Sequence, residues 1–393
     1  MVDAEEILEE LGRAGMLRKL RVGRLLEGGG IEFDGRRFLN FASNDYLGFA
    51  QRLDLQREFL ESEAVKSGEF LMGAGASRLL GGTGGAFSRL EDFFAGEYSR
   101  ACGGQKACLV FGCGYHANSG ILPALFGPRD VVFCDRLCHA SIIDGLRLGR
   151  YKWFRFPHND IGALDSLMRE NPPDGGRACI VTESVFSMDG DRADLPALLE
   201  LKRKYGARLY VDEAHAIGVF GGRGLGLCEE LGIVGEVDFI VGTLGKAAAS
   251  SGAFAICSPA ERELLVNRCR PFIFTTAAAP ISQMWTLFLF KRILEASGLR
   301  ARLAELSKLF RESVRAPVLG DTQIVPVVLG GAQRALELSS LLKENGIYAP
   351  AVRPPTVPNN SSRVRFSLNA GMSEADVVRT AELVGRFFEG ELR

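Results

Sequence analysis

The sequence lacks net charge, a long apolar run and a paired cysteine framework, and each absence closes off a class of function. Its 47 Lys and Arg stand against 48 Asp and Glu in 393 residues, a formal charge of -1. Nothing in that balance draws nucleic acid or an anionic membrane surface, so a substrate must be attracted by a local site. The longest apolar stretch, Ala277 to Phe290, is broken by Ser282, Gln283 and Thr286 and is too short and too polar to span a bilayer. Nine cysteines scatter from Cys102 to Cys269. Cys134 and Cys138 are close in sequence, but no second pair completes a zinc site, so reduced thiols and no metal are expected. Met1 to Leu11 is acidic, without the basic-then-apolar order of a secretory signal, and a cytoplasmic protein with no membrane or nucleic-acid partner is expected.

What is present can build a large core: 47% of the residues are hydrophobic and 24% charged. Val2 to about Leu26 has helical spacing, and Asp34-Gly35 separates Ile31–Phe33 from Phe38–Phe41 as in a hairpin. From Tyr46 to Ser258, short apolar runs alternate with helical stretches such as Leu195–Tyr205. The runs are Ala107–Phe111, Val131–Cys134, Ala178–Thr182, Leu209–Val211 and Phe239–Val241. This order predicts a mainly parallel sheet covered on both faces, with ligands beyond the carboxyl ends of the strands. A long helix, Ser282 to Leu306, should lead into Ile324–Leu329, Ala332–Asn345 and Val364–Leu368, with a last helix Ser373–Phe388. The expected organisation is a large α/β domain over 46–285, with segment 1–45 joining a smaller α+β domain over 286–393.

Three polar segments each follow a predicted strand and should meet at one sheet edge: Asp212-Glu213-Ala214-His215, Thr243-Leu244-Gly245-Lys246 and Gly112-Cys113-Gly114-Tyr115. Lys246 stands among small residues, so it can be buried, and burial favours the neutral amine that attacks an aldehyde. A phosphate-binding loop is excluded, because alanine follows the lysine. Asp212 suits a carboxylate holding a proton on a pyridine nitrogen, and equally suits a helix cap. His139 and His215, taken singly, read more readily as satisfied structural residues than as catalytic ones. Gly114 and Tyr115 open a helix whose free N–H groups suit a phosphate.

Taken together, Asp212-x-x-His215 followed by Thr243-x-x-Lys246 resembles the fold-type I pyridoxal-phosphate (PLP) transferases, and closely the α-oxoamine synthase family. The likeness runs along nearly the whole chain. It includes Asn40-Phe41, Ser43 to Gly48, Gly73-x-Gly75 with Arg78 and Gly82-Thr83, Asp135-Arg136 with His139-Ala140-Ser141, and Thr182 to Asp191. Phe87 stands where the family often has histidine, His116 where a small residue is usual, and Ala216-Ile217 replaces a smaller pair.

The resemblance implies a mainly parallel seven-stranded sheet, PLP as cofactor, and an amino acid condensed with an acyl-CoA or acyl carrier-protein thioester in a homodimer. It implies Lys246 as the residue that holds the cofactor covalently and later serves as base, Asp212 as partner of the pyridine nitrogen, and His139 as the stacking ring. Ser187 and His215 would bond the phenolic oxygen, and Thr243 with Gly114 and Tyr115 would hold the phosphate. Thr275 and Thr276 would reach a phosphate across the dimer interface. Arg353 would clamp a substrate carboxylate, with Asn44 also on the substrate side, and Arg18 and Thr356 would contact the acyl substrate. The segment Arg353 to Pro358 is similar to the version in members that join L-alanine to a pimeloyl thioester. Glycine with acetyl-CoA is the alternative pair, and a non-catalytic partner subunit the non-enzyme alternative.

Overall fold

The computed structural model describes residues 3–13, 16–17, 20–67 and 71–390. The apolar runs become strands of one seven-stranded sheet. Its order is Ala107–Phe111, Ala253–Cys257, Phe239–Thr243, Arg208–Asp212, Ala178–Glu183, Val131–Asp135 and Lys152–Phe156. Six strands run in one direction, and Ala253–Cys257 is antiparallel to both its neighbours. Alternation along a strand sends side chains to two separate cores: Phe133, Ile180 and Val211 pack on one face, Val132, Val181 and Tyr210 on the other. Both faces are therefore dry, which explains why these strands read as unbroken apolar runs.

Helices enter and leave by local chemistry. The Asp194 side chain accepts from Ala197 N–H to start Leu195–Tyr205, and Gly206 at φ 58° ends it. Asp34 and Gly35 both take positive φ at the hairpin between Gly30–Phe33 and Arg36–Asn40. Two expected helices are corrected. The first ends at Arg13, and Arg24–Leu26 is instead an edge strand held by pairing with Gly30–Phe33. The long C-terminal helix is two, Pro280–Glu295 and Ser297–Ser313, broken at Ala296, where the Ile293 carbonyl accepts from the Ala296 N–H at 3.1 Å and from Arg300 at 2.6 Å.

A second sheet holds Ile324–Gly330, Ser362–Ser367 and Ala351–Val352, and Arg36–Asn40 pairs in parallel with Ile347–Tyr348. No helix among the described residues is long and apolar enough to cross a membrane. All nine cysteines are free.

One ion cluster ties together the loops beyond the strand ends. His158 Nδ1 lies 3.0 Å from Asp135 and Nε2 lies 2.8 Å from Asp191, while Asn159 Nδ2 donates to Asp191 at 3.0 Å. Burial works against the imidazolium, but the two carboxylates outweigh it and raise the pKa from 6.5 to about 10. Because the folded value exceeds the unfolded one, the pairing contributes fully below pH 6.5 and is lost as pH rises through about 10. His158→Gln should cost roughly 2–4 kcal/mol at pH 6. Urea unfolding at a series of pH values should show that difference shrinking steadily above neutrality.

Candidate active site

Strand carboxyl ends place the reactive groups. Asp212 closes its strand, with Oδ2 accepting from Asn118 Nδ2 at 2.7 Å and Oδ1 accepting from Ala214 N–H at 2.8 Å. The Tyr210 hydroxyl donates to Asn118 Oδ1 at 2.7 Å. The carboxylate only accepts, so Asn118 must turn Nδ2 to Asp212 and Oδ1 to the Tyr210 hydroxyl. Asp212 is thus oriented by a two-residue chain that starts in the core.

Lys246 sits in the turn after Phe239–Thr243, with Ala247 and Ala248 buried beside it. Its Nζ lies 2.7 Å from His215 Nε2, and His215 Nδ1 lies 2.6 Å from the Tyr46 hydroxyl. Arg365 reaches the same tyrosine at 3.4 Å and Asn44 Oδ1 at 3.2 Å. Burial lowers the lysine's pKa; the Asp212 and Glu183 charges resist, and Arg365 adds to the lowering. The result is an amine far easier to deprotonate than a surface lysine.

His139 caps the helix Ala140–Leu148, its Nδ1 accepting from Ser141 N–H at 3.2 Å. Burial pulls its pKa down, against the Asp212 charge, so its ring is neutral. Its own backbone N–H donates to Glu183 Oε1. Glu183 is itself pushed up, first by burial and then by the Asp212 charge. The Glu183 carboxyl, beside the histidine loop, therefore keeps a proton more readily than a solvent-exposed glutamate does.

These groups line one cavity of about 180 Å³. Seven of the residues expected from sequence meet there: Gly114, Tyr115, His139, Asp212, His215, Thr243 and Lys246. Asn44 joins them through Tyr46 and Arg365. Ser187 lies on a neighbouring loop, where its carbonyl accepts from Arg365 Nε at 2.6 Å. Thr275, Thr276, Arg353 and Thr356 are not part of the lining. Thr276 bridges to Ser77, and Thr356 N–H donates to Arg353 carbonyl at 3.1 Å. Arg18 lies outside the described residues. Phe87, in place of the family's usual histidine, is buried with the Arg78 guanidinium 4.2 Å above its ring.

Asn118, Ser141 and Glu183 line the cavity without having been expected, and Tyr46, Arg365 and Gln323 support it from behind. Tyr46 and Glu183 lay inside quoted motifs. Arg365 had one weak signal, a charged residue between Val364 and Phe366 in an expected strand, and its burial shows only in the structure.

The residues present fit pyridoxal phosphate. A buried carboxylate, a neutral flat imidazole and an easily deprotonated lysine face one another, and a helix N-terminus opens at Gly114. A Cβ on that glycine would point at the Thr243 hydroxyl, 3.6 Å away, and narrow the gap a phosphate needs. Six parallel strands with one reversed and a lysine beyond their ends define a fold-type I pyridoxal-phosphate enzyme. A sequence model of class I and II aminotransferases matches residues 36–384. A putative 8-amino-7-oxononanoate synthase of Neisseria gonorrhoeae is 43% identical over 374 residues, covering 94% of this chain and 96% of the relative. The 8-amino-7-oxononanoate synthase of Haemophilus ducreyi is 43% identical over 384 residues, covering 95% and 97%. A serine palmitoyltransferase from S. paucimobilis, solved with a bound PLP–myriocin adduct, superimposes with a TM-score of 0.87 at 26% identity, covering 99% of this chain and 98% of that one. The 8-amino-7-oxononanoate synthase of Francisella tularensis gives 0.75 at 27% identity, covering 90% and 98%. The chain belongs to the class I and II aminotransferase family, and within it to the α-oxoamine synthases.

Proposed function

We propose that this chain is an 8-amino-7-oxononanoate synthase of biotin biosynthesis. It joins L-alanine to the pimeloyl group of pimeloyl-CoA, or of a pimeloyl carrier-protein thioester, releasing carbon dioxide and the free thiol. The observation that supports this reading is the 43% identity over nearly the full length of relatives bearing that name, against 26% to the serine palmitoyltransferase.

Bound in the cavity, pyridoxal phosphate supplies an electron sink for charge developing at the amino acid's α-carbon. Asp212 would keep a proton on the pyridine nitrogen. Lys246 would hold the coenzyme, and its amine would take the proton from the α-carbon and return one. His139 would cover the ring face, while Thr243 and the N–H groups at Gly114 and Tyr115 would hold the phosphate. The substrates carry two carboxylates to be recognised, one on alanine and one at the far end of the pimeloyl chain. Arg365, linked through Tyr46 to His215 and Lys246, takes the first, and Arg353 with Thr356 and Arg18 takes the second.

We further infer a cytoplasmic homodimer. The unpaired cysteines support the compartment. Leu80, Met72 and Phe274, exposed by 82%, 74% and 69%, flank the segment carrying Thr275 and Thr276 and support its burial by a second copy.

A thiol-release assay tests the reaction. L-alanine with pimeloyl-CoA should exceed glycine with acetyl-CoA and L-serine with palmitoyl-CoA by at least ~100-fold in kcat/KM. Preference for another pair would reassign the substrates within the family. Bound coenzyme with no thiol release from any pair would point to a non-catalytic subunit, against which the presence of Lys246 stands.

A further inference from the structure

His215 has two ring nitrogens and, when neutral, one proton to place. It is 5% exposed, with Lys246 against Nε2 at 2.7 Å and Tyr46 against Nδ1 at 2.6 Å. Burial and the positive charges of Lys246 and Arg365 hold its pKa well below the ordinary value, so one nitrogen must accept a hydrogen bond. Asp212, Glu183, His139 and Tyr115 are the remaining titratable groups lining the same cavity.

We propose that Tyr46 is a positioning residue that fixes His215 in a single tautomer, Nδ1 accepting from the tyrosine hydroxyl and the Nε2 proton facing the cofactor cavity. The placement follows from who can donate to whom. Arg365 only donates, and its Nη2 reaches the Tyr46 oxygen at 3.4 Å and Asn44 Oδ1 at 3.2 Å. Tyr46 therefore receives on its oxygen and has one hydrogen to give. Asn44 Oδ1 can also take that hydrogen at 3.1 Å, but it already accepts from Arg365 and lies farther from the hydroxyl than His215 Nδ1. His215 Nδ1 is closer and has no other partner among the described residues. Tyr46 is wholly buried, and burial raises its own pKa, so it keeps the hydrogen it gives.

The alternative register has a different consequence. With the proton on Nδ1, Nε2 would accept from the lysine and favour the charged ammonium. With the proton on Nε2, the ring donates to a neutral amine, or to an acceptor oxygen of a bound ligand. Tyr46 thus acts on the lysine through the histidine. Its value to catalysis rests on the cofactor reading above, but the tautomer is a property of the chain alone.

The sequence contains only four histidines, so nitrogen NMR of histidine-labelled, cofactor-free protein can follow each ring. The wild-type His215 signal should show the Nε2–H form above about pH 8, where burial leaves Lys246 a neutral amine that can accept from it. Tyr46→Phe removes one oxygen, and the ratio of the two tautomers should fall by roughly tenfold, the size expected for one lost hydrogen bond. The same variant should raise the pH at which Lys246 reacts with an amine reagent. Wild-type protein with its proton on Nδ1 would overturn the proposal without any variant, as would an unchanged ratio in a folded Tyr46→Phe protein. The expected tautomer in a protein that takes up no pyridoxal phosphate would uphold Tyr46's role and sink the cofactor reading instead.

Discussion

Lys246→Ala should lose at least ~10³–10⁴-fold in turnover and leave a protein to which borohydride no longer fixes the coenzyme. The size follows from two jobs held by one amine, covalent anchoring and proton transfer at the α-carbon. Thermal stability should not fall with activity. The side chain lies in a cavity and not in a packed core, and its ammonium is destabilised by burial, so truncation removes a desolvation cost without leaving a new void. Lys246→Arg separates charge from chemistry. It keeps the cation opposite Asp212 but cannot become a neutral nucleophile, and it should be as inactive as the alanine variant. Reductive trapping with mass spectrometry and a thermal scan on the same samples measure both arms. An alanine variant with substantial turnover would remove the basis for every role assigned around the cavity.

The strands and their chemistry were legible because burial on both faces leaves short apolar runs, and each reactive residue lies within five residues past such a run. Asp212 and Thr243 are the last residues of their strands. The seven expected residues that line the cavity all belong to segments that local order brings to the sheet edge. The supporting residues were not legible, because their roles exist only through pairings distant in sequence. Tyr46 meets His215 across 169 residues, and Arg365 meets Tyr46 across 319. No local pattern carries such distances. The break at Ala296 was hidden for a related reason. The apolar periodicity continues through it, and what ends the first helix is its backbone, at φ -83° and ψ 37°, together with a carbonyl captured by Arg300. Arg353 had a motif to recommend it, whereas Arg365 shows its importance only once its strand is seen to be buried along its length.

Asp212→Asn should be the second most damaging change, with kcat reduced by about 10²–10³-fold and the fold intact. A carboxylate about 3 Å from a protonated pyridine nitrogen attracts it by a gross ~5 kcal/mol at an effective dielectric of 20, and desolvation takes back part of this. Losing the charge lets the ring nitrogen shed its proton and weakens the electron sink. The amide also has a local conflict. Asn118 Nδ2 and the Ala214 N–H both donate to residue 212, and an amide offers one oxygen, so its NH2 group must face one of those two donors unless Asn118 turns over. Two titrations should move in a defined sense. The Asp212 charge holds the lysine's pKa up against burial, so Lys246 should titrate at lower pH in the variant. It also pushes the Glu183 carboxyl up, so Glu183 should ionise at lower pH as well. A pH–rate profile whose limbs both shift acidward, together with the loss in kcat, separates removal of a charge from simple damage to the cavity. A variant with the same loss but unmoved limbs would mean that Asp212 acts by shape and not by charge.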